Sequence, residues 1–156
     1  MTRDVVIALR GVEKSFGAQA VLRGVDLDVY RGESLVIIGP SGCGKSVLLK
    51  HIIGLILPDR GSIRIDGEDI TQMNSDSIYE MRKKFGMLFQ GAALFDSLTV
   101  AENVGLGLVE HTKLAEKEIA ERVAESLRKV GMEHAARKKP SELSGGMKKR
   151  VGLARA

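Results

Sequence analysis

Gly39-Pro40-Ser41-Gly42-Cys43-Gly44-Lys45-Ser46 fits the pattern G-x-x-x-x-G-K-[ST], a loop whose backbone amides cradle phosphates. The pattern carries that meaning only between a strand and a helix, and the flanks predict both. Leu35-Val36-Ile37-Ile38 is a continuous apolar run, as expected of a parallel strand covered on both faces. Val47 to Ile53 then suits a helix. Glycines at 39, 42 and 44 are expected to let the chain wrap with positive φ, so that successive N–H groups from about Gly42 to Ser46 converge on an anion. The loop runs into a helix N-terminus, whose unpaired donors and partial positive charge favour the same phosphates. Lys45 adds a full charge that can span two phosphates, and the Ser46 hydroxyl suits Mg²⁺, which takes oxygen ligands and keeps several waters.

Cys43 is the only cysteine, which excludes an internal disulfide. Beside a helix N-terminus and Lys45 it has the surroundings that lower a thiol pKa. The plainer reading is a small side chain in a loop whose backbone does the binding.

The 156 residues suffice for one modest domain, and a composition 44% hydrophobic and 28% charged is globular. No apolar run approaches the roughly 20 residues that span a bilayer; the longest, near Ile52 to Leu57, is interrupted by Gly54 and closed by Pro58. Met1 to Ile7 carries Asp4 and no long apolar region, unlike a secretory leader, so a cytoplasmic location is expected. The net charge is +4, but 24 basic and 20 acidic residues are interspersed, which argues against direct nucleic-acid binding. Two basic clusters, Arg137-Lys138-Lys139 and Lys148-Lys149-Arg150, are either solvated surface or a membrane-proximal or partner contact.

Val5 to Val12 and Gly24 to Tyr30 read as strands that pair with each other, and Ser62 to Asp66 as a third, ended by the turn signal Asp66-Gly67. Ser77-Ile-Tyr-Glu80 reads as a capping box opening a short helix, and Phe85 to Phe89 as a buried strand ending at Gln90. Residues 1–98 are therefore assigned to a core with an antiparallel β part, and 99–156 to a helical subdomain that begins at the capping box Thr99-Val-Ala-Glu102. Ala115 to Val130 places Ile119, Val123, Leu127 and Val130 on one face, with Glu118–Arg122 and Glu125–Lys129 spaced for support. Gly131 stops that helix, Pro140 marks a loop, and Ser144 caps a last helix running from Gly145 toward Ala156. A serine cap followed by two glycines also exposes a helix N-terminus without obstruction, a second anion site.

Leu143-Ser144-Gly145-Gly146-Met147, downstream of the phosphate loop and of Gln90, resembles the signature of the ABC-transporter ATPases, over nearly the whole chain. The resemblance implies an α/β P-loop NTPase fold, with an N-terminal antiparallel β subdomain, an α-helical subdomain, and the C-terminal part of the core missing. It implies ATP and Mg²⁺ as ligands, bound along Gly39 to Val47. Phe16 becomes the aromatic that stacks on adenine, and Gln90 the residue reaching Mg²⁺ and the attacking water. Ser144, Gly145 and Gly146 become contacts to the γ-phosphate held by a second subunit in a head-to-tail homodimer. Integral membrane permease subunits are the other implied partners, which places the chain peripherally on the inner face of the plasma membrane.

Phe89 to Asn103, together with Val47 and Met147, looks like the ATPases of Mce-type bacterial phospholipid transporters, including the maintenance-of-lipid-asymmetry system. Val47 departs from the threonine common in the wider family and Met147 from the usual glutamine. Ala92-Ala93-Leu94-Phe95 is either a docking surface for a permease helix or internal packing. The family continues beyond the level of Ala156 into a strand bearing an acidic magnesium partner and a catalytic glutamate, then a switch histidine. His51, His111 and His134 match none of these and read as structural or surface residues. The chain is accordingly expected to be an N-terminal fragment with negligible turnover and marginal stability on its own. The alternatives are a soluble ABC protein acting on nucleic acid or ribosomes, and a nucleotide-binding module without turnover.

Overall fold

The computed structural model describes residues 4–156, so the first part of the segment judged unlike a leader, Met1–Arg3, lies outside the described residues. The chain divides into two compact units, Met1–Lys84 and Phe85–Ala156.

In the first unit two long strands, β1 (Val5–Phe16) and β2 (Gln19–Tyr30), form an antiparallel hairpin with Val5 opposite Tyr30 and Phe16 opposite Gln19. The alternation of Val25, Leu27 and Val29 with Asp26 and Asp28 suits a strand covered on one face. The third predicted strand, β3 (Arg60–Ile65), pairs with the other edge of β1, Leu9 facing Ile63 and Ile7 facing Ile65. Asp66 and Gly67, at φ 49° and 84°, turn the chain into β4 (Glu68–Asp69), giving the sheet order β2-β1-β3-β4. Leu9, Val12 and Ile63 are fully buried beneath it. Two helices complete the unit, α1 (Lys45–Ile52) and α2 (Ser75–Arg82).

Two expectations here are corrected. Leu35 to Ile38 forms no strand, and Val36 and Ile38 are 76% and 88% exposed. An apolar run specifies a strand only where neighbours offer a hydrogen-bond ladder, and the four strands among the described residues pair with one another. The cap of α2 is Asn74, whose side chain accepts from the Ser77 N–H at 2.9 Å. Ser77 lies inside the helix, because Asn74 stands three residues earlier and its side chain takes the first-turn donor, the Ser77 N–H itself.

The second unit is built on α3 (Val100–His111), α4 (Glu116–Lys129) and α5 (Gly145–Arg155). The capping box at Thr99 is present in full: Glu102 accepts from the Thr99 N–H at 2.6 Å, and Thr99 Oγ1 accepts from the Glu102 N–H at 3.3 Å. The next two donors of α3 are met by the chain after α4, Val100 N–H by the Lys138 carbonyl at 2.8 Å and Ala101 N–H by that of Ala136 at 2.9 Å. The apolar face of α4 packs as expected: Val123 and Leu127 are buried with Val100, Val104, Met132, Leu143 and Val151, and Ile119 and Val130 lean on that cluster. Glu125 and Lys129 pair at 2.8 Å, whereas Glu118 turns back to accept from the Ala115 N–H at 3.1 Å. Phe85 to Phe89 is not a buried strand; it is irregular and half-buried to exposed, for the same want of a ladder as Leu35 to Ile38.

Candidate phosphate-binding site

The predicted loop is followed by α1, which starts at Lys45 with Gly44 as its cap residue. Gly42 and Gly44 adopt φ 81° and 98°, the left-handed region that a side chain resists. Gly44 also lies against β2, where an added Cβ would come within 3.0 Å of Val21 Cγ1 and 3.2 Å of Leu22 Cδ2. Gly39 corrects the expectation of three positive φ angles. A Cβ there would lie 2.8 Å from Cys43 Sγ, so a side chain at 39 would oblige the Cys43 thiol to turn aside. Among the described residues no side chain caps α1, so its first N–H groups are open to an external acceptor.

Lys45 folds over this loop. Its ammonium donates to the carbonyls of Gly39 at 2.8 Å and Pro40 at 2.7 Å, and sits 3.6 Å from Cys43 Sγ. The ammonium is thereby held against the loop's own backbone. Pro40, Ser41, Gly42, Cys43 and Ser46 are exposed, and Val47 is half-buried. Among the described residues no group bonds the Ser46 hydroxyl. A single exposed hydroxyl in a first helical turn fits Mg²⁺, which needs one or two protein oxygens and fills its octahedron with water and phosphate. Among the described residues there is no cluster of three His, Cys, Asp or Glu side chains suited to a metal.

Phe16 ends β1 at the turn into β2, 47% exposed, and Gly44 packs on the same end of β2, at Val21 and Leu22. What fixes this turn comes from far along the chain. Asp59 accepts from Lys14 Nζ at 2.6 Å and from the Ser15 N–H at 2.7 Å, and Lys14 also donates to the Leu57 carbonyl at 3.0 Å. The hydrogen bond from Lys14, with that from Ser15, holds the Asp59 carboxyl below the usual carboxylate range. The same ammonium lies 5.8 Å from the Phe16 ring centre, leaving an open aromatic face backed by a cation.

His51 is fully buried in α1, its Nδ1 donating to the Val47 carbonyl at 2.7 Å, while its Nε2 is buried without a partner among the described residues. His111 and His134 are exposed.

In the second unit Gln90 is exposed at a turn. Ser144 caps α5 through its Oγ, which accepts from the Met147 N–H at 3.3 Å. A Cβ at Gly145 or Gly146 would meet nothing within 4 Å, so packing among the described residues does not demand glycine there. An approaching external group would. After Gln90 the apolar run divides: Ala92 is buried and Leu94 packs on the helical core, whereas Ala93 and Phe95 are exposed.

Sequence reasoning missed two residues that hold this loop. Asn103, fully buried, accepts from the Phe95 N–H at 2.7 Å and donates to the carbonyls of Phe95, Leu98 and Thr99. Its signal was an asparagine amid the apolar positions of α3. Arg155 donates to the carbonyls of Ala92 and Ala93 at 2.7 and 2.6 Å, and burial draws its pKa below the usual arginine value. That contact spans 62 residues, and no local pattern foreshadows it. The basic residues Arg137, Lys138, Lys139, Lys149 and Arg150 are exposed, Lys148 half-buried.

The family described as "ABC transporter" matches residues 22–156. Over the full chain the sequence is 49% identical to the probable ribonucleotide transport ATP-binding protein mkl of Mycobacterium leprae, covering 45% of that protein. It is 42% identical to the intermembrane phospholipid transport system ATP-binding protein MlaF of Haemophilus influenzae, covering 97% of this chain and 57% of that one. The chain thus spans about half the length of the curated relatives it matches. Among solved structures it is similar to the ATP-binding cassette MJ0796, dimeric and bound to ADP and Pi after hydrolysis, with a TM-score of 0.89 and 34% identity over 96% of this chain and 68% of that one.

Proposed function

The chain belongs to the ABC transporter family, and from that premise we propose that it is the nucleotide-binding part of a transporter's ATP-binding subunit, coupling ATP binding and hydrolysis to phospholipid movement. The observation that carries the reading is the Gly39–Ser46 loop, shaped by Gly42 and Gly44 at positive φ, with Lys45 held across it. ATP would lie with adenine on Phe16 and its phosphates on the amides of Gly42 to Ser46. Lys45 exchanges two loop carbonyls for phosphate oxygens, a trade of neutral acceptors for charged ones that strengthens each hydrogen bond. When bound, Mg²⁺ would neutralise phosphate charge; Ser46 is the residue of the first unit that would hold it, and Gln90 has a magnesium role only by the family resemblance.

The same proposal assigns Ser144, Gly145 and Gly146 to the γ-phosphate on a second copy, in a head-to-tail dimer. Open space around both glycines supports it, as does the dimeric state of the similar MJ0796 cassette. Permease subunits would dock through Phe95, exposed beside Gln90, which sets the protein on the inner face of the plasma membrane. No helix among the described residues is long and apolar enough to cross a membrane. The phospholipid assignment draws on the likeness to MlaF, and mkl is named for ribonucleotide transport, so cargo is the quantity to test. The full-length protein, assembled with its membrane subunits in vesicles, should move labelled phospholipid in an ATP-dependent manner. Movement of ribonucleotide and no lipid would refute the cargo.

A further inference from the structure

We infer that Arg155 is a positioning residue for the turn that follows Gln90. The inference rests on the proposed function in one respect, that Gln90 serves nucleotide chemistry.

Ala92 and Ala93 have φ 62° and 48°. In that region the β-carbon crowds the following carbonyl oxygen, so alanine visits it rarely and two in succession more rarely still. Such a pair persists only where surrounding structure over-determines it. Here the restraint is specific. The guanidinium of Arg155 sends one N–H to each strained residue's carbonyl, Nη2 to Ala92 and Nη1 to Ala93, a two-pronged match that its planar fork provides and an ammonium does not. Three residues earlier on α5, Gly152 lets the helix backbone close on the same turn. A Cβ there would come within 2.9 Å of Leu88 Cδ1, 3.0 Å of Ala92 Cβ and 3.3 Å of Ala92 Cα.

The turn is also anchored on its far side, where Asn103 holds both the N–H and the carbonyl of Phe95. Gln90 therefore sits two residues before a backbone segment gripped at both ends, although its own side chain is exposed. The grip fixes where the Gln90 backbone points without touching nucleotide. Loss of Arg155 would let Ala92 and Ala93 relax to ordinary φ, and Gln90 would swing with them.

The test uses the full-length protein with its membrane subunits, as Arg155→Met, Arg155→Lys and Arg155→Met combined with Ala93→Gly. Arg155→Met should lower kcat for ATP hydrolysis about tenfold, with KM for ATP within about twofold of the parent. Amide hydrogen exchange at 91–96 should accelerate at least tenfold while exchange in α3 and α4 is unchanged. Arg155→Lys should fall between. Ala93→Gly should restore several-fold of the lost kcat, because glycine holds positive φ without assistance. Unchanged kcat and unchanged exchange in Arg155→Met would overturn the inference. So would a loss of exchange protection throughout 85–156, which marks a general structural role. If the parent binds no nucleotide, the functional reading fails instead, and the exchange measurement still reports whether Arg155 holds the turn.

Discussion

Gly44 concentrates three demands in one residue: left-handed φ, contact with β2, and the start of α1. Gly44→Ala should therefore cost about 1–3 kcal/mol, the range for a side chain forced into that region, with the Val21 contact acting in the same direction. Denaturant unfolding reads the cost directly, and a midpoint equal to the parent's would show that the loop relaxes freely. Glycine at 39 answers to a different constraint, the approach of Cys43 Sγ. A motif specifies which residue stands where, and the reason for each differs within eight positions.

Among the helices and strands, features whose partners lie close in sequence were legible, and those whose partners lie far along the chain were not. Thr99 and Glu102 announced α3 because both partners of the box lie within four residues, and Ser144 announced α5 in the same way. The phosphate loop was legible for that reason too, as was the β1–β2 hairpin. Leu35–Ile38 and Phe85–Phe89 were misread because apolar composition reports a wish for cover and is silent on who provides it. Asn74 overtook Ser77 because two capping residues stood three apart. Arg155 and Asp59 act across 62 and 44 residues, beyond any local window. The Thr99 box also has a pH consequence. Hydrogen bonds from the Thr99 N–H and then its hydroxyl hold the Glu102 carboxyl below its usual range. A lowered pKa stabilises the fold above the ordinary glutamate value and the benefit fades as pH falls through the folded value. Stability should thus decline on acidification across that window, and Glu102→Gln should show a shallower decline. Parallel profiles would mean that Glu102 contributes nothing to it.

For the molecule as a whole, the exposed apolar side chains of Val36 and Ile38 should make the 156-residue chain adhesive. Uncovered apolar surface costs roughly 25 cal/mol per Å², against a net stability of about 5–15 kcal/mol for a domain. The chain alone should bind a hydrophobic dye and aggregate on warming, and Val36→Thr with Ile38→Thr should reduce both. Dye binding that ignores those substitutions would place the adhesive surface elsewhere.

Loop amides and one ammonium gathering a triphosphate are what the proposed function stands on, and titration calorimetry of Mg-ATP into the full-length protein reads that step without intermediaries. Saturable heat is expected for the parent, with affinity lowered at least tenfold in Lys45→Ala at an unchanged unfolding midpoint. Equal affinities for parent and variant would show that this loop does not hold the nucleotide.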